Sequence, residues 1–211
     1  MSLLDTIIAR LAVRQHGVVA HWQLIALGLS PSAIHRRIAD GRLKSLHRGV
    51  YALGAIDRRG RWMAVVLAGG EGALLSHRDA AMLWELRETR RSAIDITVLG
   101  TSRRSRPRLT IHSAAALHPH DRAEVDGIPV TSVSRTLLDL AEVVAPTQLR
   151  RAYEAAERHR SLDAGALSEL IARSNGRRGL AALVALLDYD PAAAGGAIRP
   201  RGRLPRPRPG G

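Results

Sequence analysis

The chain contains no cysteine, only one lysine and no long apolar run. The absence of cysteine excludes disulfide bonds and zinc sites built on thiolate ligands. The first residues do not combine a basic start, an unbroken apolar run and a small-residue cleavage site, and no segment approaches membrane-spanning length. We therefore expect a cytoplasmic protein without a membrane partner, and its 45% hydrophobic residues are enough for a packed core.

Positive charge is abundant but unevenly distributed along the chain. The formal net charge of +13 divides into +5 for residues 1–56, +5 for 57–113, −2 for 114–190 and +5 for 191–211. A basic N-terminal half suits a nucleic-acid partner, whereas residues 114–190 are expected to have a different role. Because Lys44 is the only lysine, the excess of arginine also matches what a GC-rich genome encodes, and charge alone is weak evidence of function.

The stretch from Gly28 to Tyr51 predicts a turn, a short basic helix and a basic hairpin. Gly28 supplies the positive φ that ends one helix, Ser30 is a favourable N-cap for the next, and Pro31 is tolerated at its first position. Two helical patterns precede this stretch, first on Leu4, Ile7, Ile8, Leu11 and Ala12, then on Leu24, Ile25 and Leu27. Three helices followed by a hairpin within about 55 residues predict a winged helix-turn-helix.

The predicted basic helix has two different faces. The i, i+3, i+4 spacing groups Ala33, Ile34, Arg37 and Ile38 on one face, and Ser32, His35, Arg36 and Ala39 on the other. The second face is short, polar and cationic, and we predict that Ser32, His35 and Arg36 read base edges in a DNA groove. Phosphate contacts are predicted for three cations of the hairpin, the wing: Arg42, Lys44 and Arg48. The alternative is an amphipathic helix and an ordinary hairpin whose charges face solvent.

The sequence after the wing predicts helices, then strands, then helices again. The predicted helices are 62–68, a helix capped by Ser76 and running to Leu86, and then 136–144, 146–156, 166–172 and 180–187. Strands are predicted at 93–99, 108–112 and 128–130, with a loop at 101–107 that carries Arg103, Arg104 and Arg106. The tail is rich in arginine, proline and glycine, which predicts disorder.

Together these patterns predict an α+β protein with three parts. Residues 1–56 form a winged helix-turn-helix DNA-binding domain. Residues 57–190 form a mixed domain with a small antiparallel sheet and a C-terminal helical region, and residues 191–211 form a disordered tail.

The sequence contains no recognisable catalytic motif. It has no phosphate-binding loop that ends in Gly-Lys, no Gly-x-Ser-x-Gly turn and no His-Glu-x-x-His pair. The triplet His77-Arg78-Asp79 lies at a helix start, where Asp79 favours the helix dipole and His77 caps or packs. Acid–base catalysis there would need a partner in a cleft, which the sequence does not show. We predict that the protein is not an enzyme.

Two groups of residues could in principle hold a metal. His112, His118 and His120 straddle a strand end and a loop without a clear fourth ligand, which favours solvated loop histidines. Asp95 on a strand resembles an acid of nuclease folds, but such folds need a second acid and a nearby lysine, and the only lysine lies in the wing. We predict no catalytic, metal-binding or cofactor-binding residues.

Six segments of the chain resemble the AbiEi-type antitoxin proteins of bacterial type IV toxin-antitoxin systems, in particular those of actinobacteria. They are Gly17-Val18-Val19, residues 24–30, Leu46-His47-Arg48-Gly49-Val50-Tyr51, and residues 75–86, 127–131 and 135–141. The first three segments are shared with many winged helices. The first three and the last three together, in this order, are more specific. The resemblance extends to about Tyr189.

The resemblance implies a DNA-binding N-terminal domain that represses its own operon through inverted repeats, and a C-terminal domain that counters a nucleotidyltransferase-like toxin. The expected partners are double-stranded DNA of its own promoter and that toxin, contacted directly or indirectly. Many similar actinobacterial chains continue into a domain similar to very-short-patch-repair endonucleases, which has no counterpart in this sequence. The alternative interpretation is a truncated or frameshifted relative of such a chain, without nuclease activity.

Overall fold

The computed structural model describes residues 3–100 and 108–187. The helices in this part are α1 (Leu3–Arg14), α2 (His21–Ala26), α3 (Pro31–Ala39), α4 (Arg58–Gly69), α5 (His77–Leu83), α6 (Val133–Ala141), α7 (Pro146–Arg158), α8 (Ala164–Ala172) and α9 (Leu180–Leu187). The strands are β1 (Val18–Ala20), β2 (Lys44–His47), β3 (Val50–Ala52), β4 (Leu74–Leu75), β5 (Ile94–Leu99), β6 (Leu109–Ala114), β7 (Arg122–Val125) and β8 (Ile128–Thr131). The loop predicted at 101–107 and the tail predicted at 191–211 lie outside the described residues. None of the helices described is long and apolar enough to cross a membrane.

The first six elements, α1, β1, α2, α3, β2 and β3, follow the order of a winged helix-turn-helix. Strand β3 pairs antiparallel with both β1 and β2, which gives a three-stranded sheet. The helix signals are confirmed, because Gly28 has φ +91° and Ser30 Oγ accepts a hydrogen bond from Ala33 N–H at 3.2 Å. The sequence does not predict β1, because three residues are too few to show an alternating pattern.

An apolar core holds the first three helices against this sheet. Ile8 of α1, Leu24 of α2 and Ile34 of α3 are buried together in it. Burying a side chain of this size contributes about 1.5–3 kcal/mol relative to leaving it exposed. Because Ile34 must face this core, the same burial determines which face of α3 points to solvent.

Helix α4 lies between two sheets. One side packs on the three-stranded sheet in a cluster of Met63, Ala64, Val18, Val50 and Ala52. The other side packs on the second sheet of the protein through Trp62, Val65 and Val66. The helix is therefore part of both cores and connects them.

The second sheet has five strands in the order β6-β5-β4-β8-β7. The pairs β5–β6 and β4–β8 are parallel, and the pairs β4–β5 and β7–β8 are antiparallel. The α+β class is confirmed, but the sheet is mixed and not antiparallel as expected. Nine residues connect β5 to β6, and nine residues can span about 30 Å, whereas a strand such as β5 spans only about 20 Å. The connection is therefore long enough to return to the start of β5, which strand patterns do not reveal.

Helix α5 differs from its prediction at both ends. Ser76 is the residue before the helix, as expected, but its hydroxyl does not cap it, because Ser76 Oγ lies 2.9 Å from His77 Nδ1 instead. The helix ends at Leu83, earlier than the predicted Leu86. Glu85 takes a left-handed φ of +59°, which is incompatible with a continuing helix.

The C-terminal helical region is present in the described residues as predicted. Helices α6 to α9 share one core in which Leu137, Leu149, Leu167 and Leu183 are buried. Helix α6 begins earlier than predicted, since Ser132 provides an N-cap that the apolar pattern does not show. Helices α6 and α5 pack on each other and join this core to the five-stranded sheet.

Candidate nucleic-acid interface

Helix α3 presents its predicted DNA-contacting face to solvent. Ile34 points into the core, and this orientation leaves Ser32, His35 and Arg36 exposed on the opposite side. Residues three and four apart share a helix face, so these three side chains lie next to one another. The structure therefore brings together the residues that the sequence assigns to base contacts.

Two side chains of α3, those of Ser32 and Arg37, make further polar interactions. Ser32 Oγ lies 3.0 Å from Ser30 Oγ, so the hydroxyl of Ser32 extends the helix cap. Arg37 donates hydrogen bonds to Asp5 Oδ1 at 2.9 Å and to the carbonyl oxygen of Ala33 at 3.2 Å. Arg37 thereby links α3 to α1 at the edge of the core and does not belong to the solvent-facing group.

The wing is the hairpin of β2 and β3, with a two-residue turn at Arg48 and Gly49. Gly49 has φ +74°, a left-handed conformation that glycine adopts without strain. Lys44 begins β2 and Arg48 lies in the turn, and both side chains are exposed. The wing therefore presents one cation at its base and one at its tip.

The charges of this surface are largely uncompensated. Arg42 pairs with Asp40 at 2.9 Å, but both side chains are exposed, and such pairs contribute only about 0–1 kcal/mol, so a phosphate can replace Asp40 at little cost. Within residues 3–100 and 108–187, no carboxylate pairs with Arg36, Lys44 or Arg48. Free cations on a convex helix and an adjacent hairpin are suited to a polyanion.

The N-terminal part of the chain matches a known protein family. Residues 7–54 match the family model described as "Transcriptional regulator, AbiEi antitoxin". Residues 7–54 thus have the sequence pattern of an AbiEi domain. The matched range confirms the N-terminal part of the sequence resemblance and contains α2, α3 and the whole wing. All six residues predicted to contact DNA therefore lie inside the AbiEi domain.

The fold of the chain as a whole is similar to that of a solved structure. It is similar to the crystal structure of the RV2827C protein from Mycobacterium tuberculosis, with a TM-score of 0.52. The two chains share 16% sequence identity, and the similarity covers 89% of this chain and 77% of that chain. At this identity the similarity concerns the fold alone. No curated protein matches the sequence.

Outside the AbiEi domain, Asp79 takes part in a buried network. It accepts hydrogen bonds from Trp62 Nε1–H at 2.9 Å and from the backbone N–H of Asp95 at 2.8 Å. Burial raises the pKa of Asp79 to about 6, although both hydrogen bonds favour its anion. Asp79 thus joins α4, α5 and β5 through these hydrogen bonds, and its role in the described structure is to hold these elements together.

His77, His112 and Asp95 continue this network. His112 Nε2 lies 3.1 Å from Asp95 Oδ1, and the ring of His112 stacks on that of His77 with centroids 3.4 Å apart. Burial opposes the charge of Asp95, but the hydrogen bond from His112 and nearby cations outweigh it and lower the pKa of Asp95. The expectation of a solvated His112 is wrong, because parallel pairing of β5 and β6 brings it to Asp95. His118 and His120 are exposed, as expected.

A second buried network lies at α6, and no sequence pattern predicts it as a whole. Arg135 donates hydrogen bonds to Asp139 Oδ1 at 2.8 Å and to Asp121 Oδ2 at 3.0 Å, with all three residues buried. Arg177 donates to Asp139 Oδ1 at 2.9 Å. The i, i+4 spacing of Arg135 and Asp139 is the only local signal, because the other partners are distant in sequence.

This second network borders an open cleft of about 770 Å³. Arg135 and Arg177 line the cleft, and their guanidinium groups are already bound by carboxylates. The arrangement therefore stabilises the packing of α6 and does not offer free cations. In the described part of the chain, no group of three or more histidine, aspartate or glutamate side chains is arranged to hold a metal ion.

Proposed function

We propose that this protein is a DNA-binding antitoxin and transcriptional autorepressor of a type IV toxin-antitoxin system. One observation carries the proposal: within the segment that matches the AbiEi family, the exposed face of α3 and the wing bear Arg36, Lys44 and Arg48, with which no carboxylate of the described residues pairs. Phosphates would neutralise these charges and release counterions, which drives protein–DNA association. The AbiEi family is one of transcriptional regulators, and the proposal accordingly involves no enzymatic activity.

The six side chains divide into two roles in this proposal. Ser32, His35 and Arg36 contact base edges from the exposed face of α3, which enters the major groove. The remaining three, Arg42, Lys44 and Arg48, hold the phosphate backbone and fix the position of α3 in the groove. Residues 1–56 are the proposed DNA-binding domain.

Residues 57–190 are the proposed antitoxin part, which counters a nucleotidyltransferase-like toxin. The resemblance of residues 75–86, 127–131 and 135–141 to AbiEi-type proteins supports this assignment. Residues 114–190, the C-terminal part of this region, carry a net charge of −2, in contrast to +5 for residues 1–56. Co-expression with the neighbouring gene tests it: residues 57–190 alone are expected to restore growth, and unrelieved toxicity with the full chain present would contradict the antitoxin role.

The DNA-binding proposal predicts distinct effects for two arginines. Arg36→Ala should weaken binding to the gene's own upstream DNA by about 1–3 kcal/mol and relax its sequence preference, because a base contact is lost. Arg48→Ala should weaken binding to all DNA and reduce the slope of log K against log salt by about 1, because a phosphate contact is lost. Fluorescence anisotropy across a salt series, with the upstream duplex and a random duplex of equal length, measures both effects.

Arg151→Ala provides the matched control, because Arg151 is an exposed arginine of α7 outside the AbiEi domain. It should bind DNA like the wild-type protein, and all three variants should keep the wild-type melting temperature. Equal affinity of the wild-type protein for upstream and random DNA would refute the repressor role. A large drop in melting temperature for Arg36→Ala or Arg48→Ala would show that these residues stabilise the fold instead.

The single lysine allows an independent measurement. An amine-acetylating reagent can modify only Lys44 and the N-terminal amine of this chain. Lys44 is exposed and should react quickly in the free protein, whereas bound DNA should protect it. Mass spectrometry of the peptide that contains Lys44 reads the result, and unchanged acetylation in the complex would exclude the wing from the interface.

A further inference from the structure

The start of α2 lies beside the tip of the wing. In the sheet, Ala20 at the end of β1 pairs with Val50, the first residue after the wing turn. His21 N–H donates a hydrogen bond to the carbonyl oxygen of Gly49 at 2.7 Å. His21 Nδ1 also lies 3.2 Å from the hydroxyl of Tyr51. One hydrogen bond therefore joins His21 to the wing turn, and the two neighbouring contacts hold the start of α2 against β3.

The next residue, Trp22, is unusually exposed for a tryptophan. Its relative exposure is 62%, whereas Leu24 on the same short helix is fully buried and supplies the core contact. The other two tryptophans donate their indole N–H groups, Trp62 to Asp79 and Trp84 to the carbonyl oxygen of Thr131. The indole N–H of Trp22 has no acceptor among the described residues. Trp22 also belongs to none of the apolar clusters formed by the described residues.

The surroundings of Trp22 indicate what it contacts. Arg48 lies in the wing turn that His21 holds, and no described carboxylate neutralises it. Trp22 thus follows directly after the residue that is bonded to the wing turn. An exposed aromatic ring on the same end of the domain as cations that no described carboxylate pairs with matches a nucleic-acid backbone, where cations take the phosphates and the ring packs on the sugars or bases. A basic protein partner is disfavoured by the same charges.

We propose that Trp22 is a further DNA contact, in which the indole packs on the sugar-phosphate edge that the wing approaches. The proposal rests on the DNA-binding function and extends its interface from α3 and the wing to the start of α2. Because the contact is not ionic, its contribution to affinity does not depend on salt in the way that the contribution of Arg48 does.

Binding measurements separate this contact from the ionic ones. Trp22→Ala should weaken binding to a labelled duplex of the upstream region roughly five- to tenfold, in the range found for aromatic contacts to nucleic acids. The slope of log K against log salt should stay at the wild-type value, and Trp22→Phe should recover part of the affinity. Leu99→Ala, at an exposed apolar residue of the five-stranded sheet, is the matched control and should bind like the wild-type protein.

Fluorescence tests the same contact without relying on affinity. Trp22 is the most exposed of the three tryptophans, and subtracting the signal of Trp22→Phe isolates its emission. DNA should reduce its quenching by acrylamide, a neutral quencher.

Three outcomes would contradict the proposal or the function on which it rests. If the wild-type protein binds DNA while Trp22 stays equally quenched and Trp22→Ala keeps full affinity, this proposal is wrong and the DNA-binding function stands. If Trp22 becomes shielded only when the toxin is added, the surface binds protein and the proposal is also wrong. If the wild-type protein binds no DNA, the proposed function itself fails.

Discussion

His77 combines a left-handed backbone with nearly complete burial. Its φ is +51°, only 2% of it is exposed, and its Nε2 atom has no hydrogen-bond partner among the described residues. Burial lowers the pKa of His77 to about 4, although Asp139 acts in the opposite direction. At neutral pH the imidazole is therefore uncharged, and its stacking on His112 does not bring two positive charges together.

The buried neutral His77 predicts a loss of stability in mild acid. Between pH 6.5 and about 4 the unfolded chain binds a proton at His77 and the folded chain does not, so the free energy of unfolding falls as the pH falls. The full contribution is of order 3 kcal/mol. Urea unfolding of the wild-type protein and of His77→Asn at several pH values measures it, since asparagine tolerates a positive φ and does not titrate.

Comparing the wild-type protein with His77→Asn separates the contribution of His77 to the free energy of unfolding from that of Asp79. Because folding raises the pKa of Asp79 to about 6, that carboxyl acts in the opposite direction, and its contribution increases stability as the pH falls from about 6 towards 3.8. Asp79 is present in both proteins, so its contribution cancels in their difference. Parallel stability curves for the two proteins between pH 6.5 and 4 would show that His77 is not the responsible group.

Gly60, in the first turn of α4, packs closely against the backbone at His16 and against Ile56. A Cβ atom on Gly60 would lie 2.6 Å from the carbonyl oxygen of His16 and 2.8 Å from Ile56 Cβ. Contacts this short do not occur in folded proteins, so the backbone would have to move. Gly60 is therefore required by the packing of α4, although glycine is a poor helix former.

We expect Gly60→Ala to destabilise the protein by about 1–3 kcal/mol, because overpacking outweighs the gain in helix propensity. Gly165→Ala in α8 is the matched control, since Gly165 is exposed and an added Cβ would meet only Asp163 Oδ1, at 3.3 Å. This variant should be as stable as the wild-type protein or up to about 1 kcal/mol more stable. Thermal and urea unfolding compare the two, and equal effects would contradict the close packing of α4.

At the scale of the whole molecule, the AbiEi domain and the five-stranded sheet are joined in two places. Helix α4 contributes to both cores. The turn between β7 and β8 provides the second connection, where the carbonyl oxygen of Asp126 lies 2.7 Å from His16 Nε2 and its carboxylate pairs with Arg59 at 2.7 Å. The DNA-binding face is therefore carried on a unit whose inner side is covered by the rest of the chain.

This arrangement predicts that residues 1–56 do not fold stably by themselves. Without α4, the apolar side chains of Val18, Val50 and Ala52 would lose the cover of Met63 and Ala64 and be exposed to water. Circular dichroism during heating should show no cooperative transition for residues 1–56, whereas residues 1–70 should show one below the melting temperature of the full chain. A cooperative transition of residues 1–56 near the full-chain melting temperature would mean that α4 is dispensable.

The sequence by itself determined the local features of the AbiEi domain. The turn at Gly28, the cap at Ser30 and the two faces of α3 depend on residues within one or two helical turns of each other, so propensity and spacing are sufficient to predict them. The exposure of Ser32, His35 and Arg36 follows from the same spacing. The choice between α+β and other classes likewise depends on patterns that are visible along the chain.

Only the tertiary structure decided which distant segments meet. Parallel pairing of β5 and β6 brings His112 to Asp95, and the fold closes Asp121 and Arg177 around α6, but no local pattern encodes these contacts. The register of β1 and β3 likewise brings His21, the first residue of α2, next to the wing turn. Strand direction and register are set by packing between residues far apart in sequence, and that is why the sequence alone leaves them open.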